Sequence, residues 1–163
     1  MRLYIVQHGD AVPKDVNPDR PLSDRGRADI ERLAEWLSSR NFQVGQILHS
    51  GKVRAKETAE ILRPLLEPRG QIHASDGLAP NDSPEAFLNE LRHANKDTLV
   101  ASHMPFVART VSQALTGVPD RQLAEFVPGS VAGIESSDGA SWRLFMFARP
   151  EFLNIGKISR AVD

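Results

Sequence analysis

Apolar residues along the chain follow two spacings. Leu3-Tyr4-Ile5-Val6 and Thr98-Leu99-Val100-Ala101 are nearly unbroken apolar runs, ended by Gln7-His8-Gly9-Asp10 in one case and by Ser102-His103 in the other. Short runs of this kind, with β-branched members, predict strands buried on both faces. Gln46-Ile47-Leu48-His49-Ser50 predicts a further short strand. Elsewhere the spacing changes to the helical one. Ile30, Leu33, Ala34 and Leu37 form one stripe, preceded by a loop carrying Pro13, Pro18 and Pro21 and by Ser23 as the expected N-cap. Val53 to Leu66 carries Ala55, Ala59, Ile61, Leu62, Leu65 and Leu66, which predicts a helix kinked or shortened at Pro64. Ser83-Pro84 opens a helix over Glu85 to Ala94, and Pro105 to Leu115 predicts another, stopped near Gly117 and Pro119. Val131 to Glu135 and Trp142 to Phe147 are strand-like around the turn Ser137-Asp138-Gly139, an expected hairpin at one sheet edge.

Strands alternating with helices predict an α/β fold: a three-layer sandwich with a mainly parallel central sheet and an antiparallel edge strand. Such sheets bind ligands beyond the carboxyl ends of their strands. Three polar clusters fall at strand ends, namely Gln7-His8-Gly9-Asp10, His49-Ser50 with Arg54 soon after, and Ser102-His103. Parallel strands bring all three to one edge.

Composition narrows the chemistry. The 163 residues, 40% hydrophobic and 25% charged, suit one globular domain over 1–163, with no linker or repeat. Twenty Lys+Arg against 21 Asp+Glu give a net charge of −1, which makes no electrostatic case for nucleic acid. The absence of cysteine removes disulfides, thiol nucleophiles and thiolate zinc sites, and makes a cytoplasmic location the default. The first residues are too short an apolar stretch for a signal or membrane segment, so no membrane association is expected. His49, His73 and His93 lack metal-ligand spacing, and Trp36 and Trp142 read as packing residues, so neither metal nor cofactor is expected.

Two imidazoles and a guanidinium on one rim suit an anion, and phosphate is the natural one. Gly9 lets backbone approach a ligand closely, and Arg54 near a helix start can grip phosphate with its fork while the helix terminus adds partial positive charge. A neutral imidazole can attack phosphorus, and the remaining groups can stabilise charge on the transferring oxygens. The plainer alternative is that each histidine only closes a strand.

Read in order, these segments resemble the histidine phosphatase superfamily and, within it, the small SixA-like phosphohistidine phosphatases. The family's opening strand and Arg-His-Gly align with Leu3-Tyr4-Ile5-Val6-Gln7-His8-Gly9-Asp10-Ala11. Its Arg-Pro-Leu-Ser/Thr pattern aligns with Arg20-Pro21-Leu22-Ser23 followed by Gly26. Its Ser-Pro-x-x-Arg-Ala-x-x-Thr-Ala aligns with Ser50-Gly51-Lys52-Val53-Arg54-Ala55-Lys56-Glu57-Thr58-Ala59, lacking only the proline. Its strand and Ser-His align with Val100-Ala101-Ser102-His103-Met104-Pro105. The resemblance implies a phosphoglycerate mutase-like fold, His8 as a nucleophile that carries the phosphoryl group, Arg54 and His103 as phosphate ligands, and a substrate that is a phosphohistidine-bearing protein, such as a phosphorelay protein, or a small phosphoester.

One departure stands out: Gln7 occupies the position of the family's first arginine. A charge-assisted hydrogen bond contributes about 1.5–3 kcal/mol against about 1 for a neutral one. The exchange therefore weakens stabilisation by roughly 2- to 30-fold per contact. Lys14, Arg20 and Lys52 are the nearby cations that could substitute. The proton donor is open, with Asp10 and Asp82 the candidates and Glu85 nearby, and the chain lacks the insertion that supplies an acid in larger members. Two alternatives accompany the expectation: a pseudophosphatase that binds phosphate or phosphohistidine without turnover, and a small-molecule phosphomonoester phosphatase.

Overall fold

The computed structural model describes residues 1–153; the end of the expected 1–163 domain, residues 154–163, lies outside the described residues. Strand β1 (Arg2–Gln7) leads to helix α1 (Asp24–Ser38), strand β2 (Val44–His49) and helix α2 (Val53–Ile61). A short 3-10 turn (Arg63–Leu65), strand β3 (Leu66–Ala74), helix α3 (Pro84–Ala94), strand β4 (Thr98–Ser102) and helix α4 (Phe106–Thr116) follow. Strands β5 (Val131–Glu135) and β6 (Arg143–Ala148) complete one six-stranded sheet in the order β3-β2-β4-β1-β5-β6. Strands β3, β2, β4 and β1 are parallel, and β5 runs antiparallel to both β1 and β6. This is the mixed α/β sheet with an antiparallel hairpin at one edge that the pattern predicts.

Alternation along the strands divides the core. Tyr4 and Val6 of β1 face a cluster with Ile30, Leu33 and Leu37 of α1 and Ala59 of α2. Leu3 and Ile5 face the opposite cluster, with Phe87 and Leu91 of α3 and Phe106, Val107 and Val111 of α4. Burial of each such side chain contributes about 1.5–3 kcal/mol, which is why the apolar runs settle in the centre of the sheet. The expected caps form as well: Ser23 Oγ accepts from the Gly26 amide and Ser83 Oγ from the Ala86 amide, with Pro84 at the first helical position.

The helix expected over Val53 to Leu66 is corrected. It ends at Ile61, and β3 begins at Leu66. Pro64 has no amide to offer the preceding turn, so the helix stops where the sequence places it. Beyond it, Leu66-Glu67-Pro68-Arg69-Gly70-Gln71-Ile72-His73-Ala74 is an edge strand, largely exposed and polar, so it lacks the apolar run that marks the central strands.

Register sets up the functional edge. Gln7 pairs with Ser102 and His49 with Ala101, so β1, β4 and β2 finish nearly level. From there β1 feeds α1 on one layer and β4 feeds α4 on the other. The chain thus parts between two neighbouring parallel strands, the place where such sheets open a crevice.

Candidate functional site

His8 and His103 are the residues that follow the paired Gln7 and Ser102, and their rings come to a centroid distance of 5.0 Å at 59°. The end of β2 delivers Ser50, whose Oγ lies 2.6 Å from His103 Nε2. Arg54, in the first turn of α2, donates from Nε to His8 Nε2 at 3.0 Å. Three strand ends and one helix start therefore build the cluster.

The proton on His8 is placed by its partners. Nδ1 lies 2.7 Å from the Gly9 carbonyl oxygen, which only accepts, so Nδ1 carries the hydrogen. Nε2 faces a guanidinium N–H, which only donates, so Nε2 presents its lone pair. Burial, the largest influence, lowers the imidazole pKa to about 4; the Gly9 carbonyl and Asp10 oppose this, while Arg54 and Arg20 reinforce it. At neutral pH His8 is an uncharged base with its free nitrogen turned to the Arg54 side.

His103 is held differently. It is buried, and its pKa is lowered to about 3, first by burial and then by His8, Arg54, Lys52 and Arg20. Its Nδ1 is buried without a partner, and Ser50 can either donate to or accept from Nε2. The surroundings leave its tautomer open.

Hydrogen bonds and close packing lock the segment around His8. The Gly9 amide donates to Thr58 Oγ1 at 3.1 Å, and that hydroxyl donates to the Arg54 carbonyl at 2.8 Å. Thr58 therefore ties the backbone beside the nucleophile candidate to the helix that carries Arg54. Gly26, in the first turn of α1, packs against the Asp10 backbone so closely that a Cβ would overlap the Asp10 carbonyl oxygen and lie 2.7 Å from its amide nitrogen. Glu57 on α2 accepts from the Leu22 amide at 2.7 Å and anchors the returning loop.

The structure brings together His8, Arg54 and His103, as expected. Gln7 ends β1, 7% exposed, with its Oε1 buried and unpartnered. Asp10 accepts from the Ser23 hydroxyl at 2.6 Å and so braces the start of α1. Asp82 accepts from the Ala79 amide at 2.7 Å, in the turn before α3, and hydrogen-bonds to neither histidine. Lys14 and Lys52 are exposed, whereas Arg20 is half-buried. Sequence reading missed Ser50 and Thr58 as working parts of the site. Thr58 had a signal, four residues beyond Arg54 on one helix face; the Ser50 to His103 bond spans separate strands and had none. A groove of about 850 Å³ lies outside this cluster and is lined by Met104 and Pro105, which follow His103 in the chain. Among the described residues no three His, Cys, Asp or Glu side chains are arranged to hold a metal ion, and no helix is long and apolar enough to cross a membrane.

An imidazole whose lone pair meets a guanidinium, with a second imidazole facing it, is an arrangement that can hold an anion. Residues 3–79 match the family model of the histidine phosphatase superfamily (branch 1). The chain is similar to the phosphohistidine phosphatase SixA of Escherichia coli (strain K12), 26% identical over 150 residues that cover 88% of this chain and 93% of that protein. Its fold matches the structure of the protein histidine phosphatase SixA complexed with tungstate, with a TM-score of 0.83 at 22% identity over 94% of this chain and 99% of that one. It also matches a mycobacterial glucosyl-3-phosphoglycerate phosphatase, with a TM-score of 0.69 at 17% identity over 89% and 97% of the two chains.

Proposed function

We propose that this chain is a phosphatase that removes the phosphoryl group from protein phosphohistidine through a covalent intermediate on His8. The observation that carries the reading is the double fix on the His8 ring, which holds a neutral Nε2 lone pair beside the Arg54 guanidinium. In the first step His8 Nε2 bonds to phosphorus, the substrate P–N bond breaks, and the departing imidazole takes a proton from solvent. In the second, water bonds to phosphorus, the Nε2–P bond breaks, the proton of the water is released to solvent, and inorganic phosphate leaves.

The roles follow from chemistry. Arg54 leaves Nε2 for the incoming phosphoryl oxygens, where a guanidinium fork makes two parallel bonds. His103, facing His8 at ring distance, is a second donor once the dianion raises its proton affinity. An imidazole departs from phosphorus more readily than an alkoxide, so a phosphohistidine substrate demands less of a proton donor. That suits a site where Asp10 and Asp82 are both engaged in local bonds. The likeness to SixA of E. coli supports the same substrate class.

The second reading is a module that binds phosphate or phosphohistidine without turnover, and Gln7 is the observation that favours it. Both readings meet one experiment: phosphate release from a phosphohistidine-carrying protein and from para-nitrophenyl phosphate, with and without EDTA, by wild type and His8→Ala. We expect EDTA-resistant release, together with an acid-labile, base-stable label on the protein, both lost in His8→Ala. A label that persists in the variant removes His8 as nucleophile, and tight phosphate binding with no release moves the assignment to the binding module.

A further inference from the structure

A phosphohistidine carried by a protein brings that protein with it. His8 is buried, so the phosphorylated side chain has to enter from a surface pressed against the catalytic edge. A specific protein–protein contact covers about 800 Å² on each partner, a disc of roughly 16 Å radius. Surface well inside that radius is covered whenever the phosphoryl group reaches His8, whereas a free phosphohistidine covers far less.

Met104 lies inside it. One peptide bond, about 3.8 Å between Cα atoms, joins it to His103, whose ring faces that of His8 at 5.0 Å. The His103 ring is buried against Ser50, while Met104 is 42% exposed. With Pro105 it lines the groove of about 850 Å³, which also takes in Ala108 and Arg109 of α4 and the segment 119–126. Leu123 in that segment, 47% exposed, is a second large apolar side chain without cover. Exposed apolar groups that share one groove mark a contact surface, and the flexible thioether of methionine suits one that moulds to a partner.

Charge narrows the partner. Arg109 Nε donates to Asp120 at 3.0 Å and Arg149 donates to Glu125 at 3.1 Å, so the two carboxylates of the groove are matched within the chain. Arg121 is exposed, and among the described residues its guanidinium reaches no carboxylate. The groove therefore offers two apolar anchors and one spare positive charge.

We infer that this groove is the docking surface for the protein that carries the phosphohistidine, with an apolar side chain of that protein on Met104 and Leu123 and a carboxylate at Arg121. The inference rests on the phosphatase reading, and its test separates the two by giving the same P–N bond on a large and a small substrate. Phosphate release is measured with a phosphorelay phosphotransfer domain phosphorylated on its histidine and with free phosphohistidine. The variants are Met104→Gln, Leu123→Gln, the two combined, Arg121→Glu and the conservative Met104→Leu, with His8→Ala as blank. Leu144→Gln, on the edge strand β6 and as exposed as Leu123, is the control, and thermal midpoints are recorded throughout. The combined variant is expected to lose tenfold or more in kcat/KM on the protein, mainly through KM, and to stay within twofold of wild type on free phosphohistidine. Arg121→Glu should lose fivefold or more on the protein alone, and Met104→Leu and Leu144→Gln should stay within twofold on both. Equal losses on the two substrates would mean a groove that only braces His103, and no loss on either a groove without a partner; each overturns the inference and leaves the phosphatase reading standing. Release from free phosphohistidine with none from the protein overturns the docking surface together with the protein substrate. No His8-dependent release from either substrate overturns the phosphatase reading and the inference with it.

Discussion

His8 and His103 end neighbouring strands in matching register, yet the chain treats them in opposite ways. Both nitrogens of His8 are partnered, and both partners dictate the same tautomer. His103 has one partner that can donate or accept, and its other nitrogen is buried without any. A group that attacks along one direction is served by a fixed lone pair; a group that answers a change in charge is served by a tautomer its surroundings leave free. The difference teaches that equal position in a sheet does not mean equal duty, and that hydrogen-bond partners, more than placement, assign the roles.

Removing the proposed nucleophile is the largest break. His8→Ala should lower turnover by about 10⁴-fold or more, whereas His103→Ala, losing only stabilisation of charge, should lower it by about 10²–10³-fold while still permitting a label on His8. Single-turnover labelling of both variants checks this. Equal losses with no label in either would erase the distinction between them.

Acid sharpens the comparison next. An unfolded histidine titrates near 6.5, while His8 and His103 in the folded chain titrate near 4 and 3. Between those values the unfolded chain binds protons that the folded one does not, so stability is intact above pH 6.5 and falls as pH drops toward 4. The loss attributable to His8 is on the order of 3 kcal/mol. Urea midpoints from pH 7 to pH 4 should show the decline, and His8→Ala should reduce it. The acid limb of kcat/KM should likewise lie below pH 5 and not near 6.5.

Thr58→Val keeps shape but leaves the Gly9 amide without its acceptor, which costs about 1–3 kcal/mol. Because that amide adjoins His8, turnover should fall along with the thermal midpoint. The smallest effect is expected of Ser50→Ala. It removes only the ambiguous partner of His103, so activity should change a few-fold, on the order of 1 kcal/mol, with a shift in the pH profile and no loss of the label. A profile that does not move would mean that Ser50 has no part in setting the His103 proton.

Much of this arrangement is legible in the chain. The central strands announce themselves because burial on both faces demands unbroken apolar runs, and Leu3 to Val6 and Thr98 to Ala101 obey. The convergence of His8, Arg54 and His103 follows from the rule that strand ends face one edge. Strand β3 escapes because an edge strand answers to solvent, and Pro68, Gly70 and its charges serve to keep other strands away. The Ser50 to His103 bond escapes for another reason: it is a contact between distant parts of the chain, decided by register that no local spacing records.

The contact of Gly26 with the Asp10 backbone carries a consequence for how this protein can vary. A single methyl group there would have to push α1 off the segment that holds the nucleophile candidate, and Gly9 meets the same helix from the other side, where a Cβ would lie 2.8 Å from the Gly26 carbonyl oxygen. Two hydrogen atoms, one on each glycine, are thus all the space between the helix and the chemistry. A position with no functional group of its own is thereby constrained by volume, because a Cβ there meets backbone that cannot swing aside as a flexible side chain would.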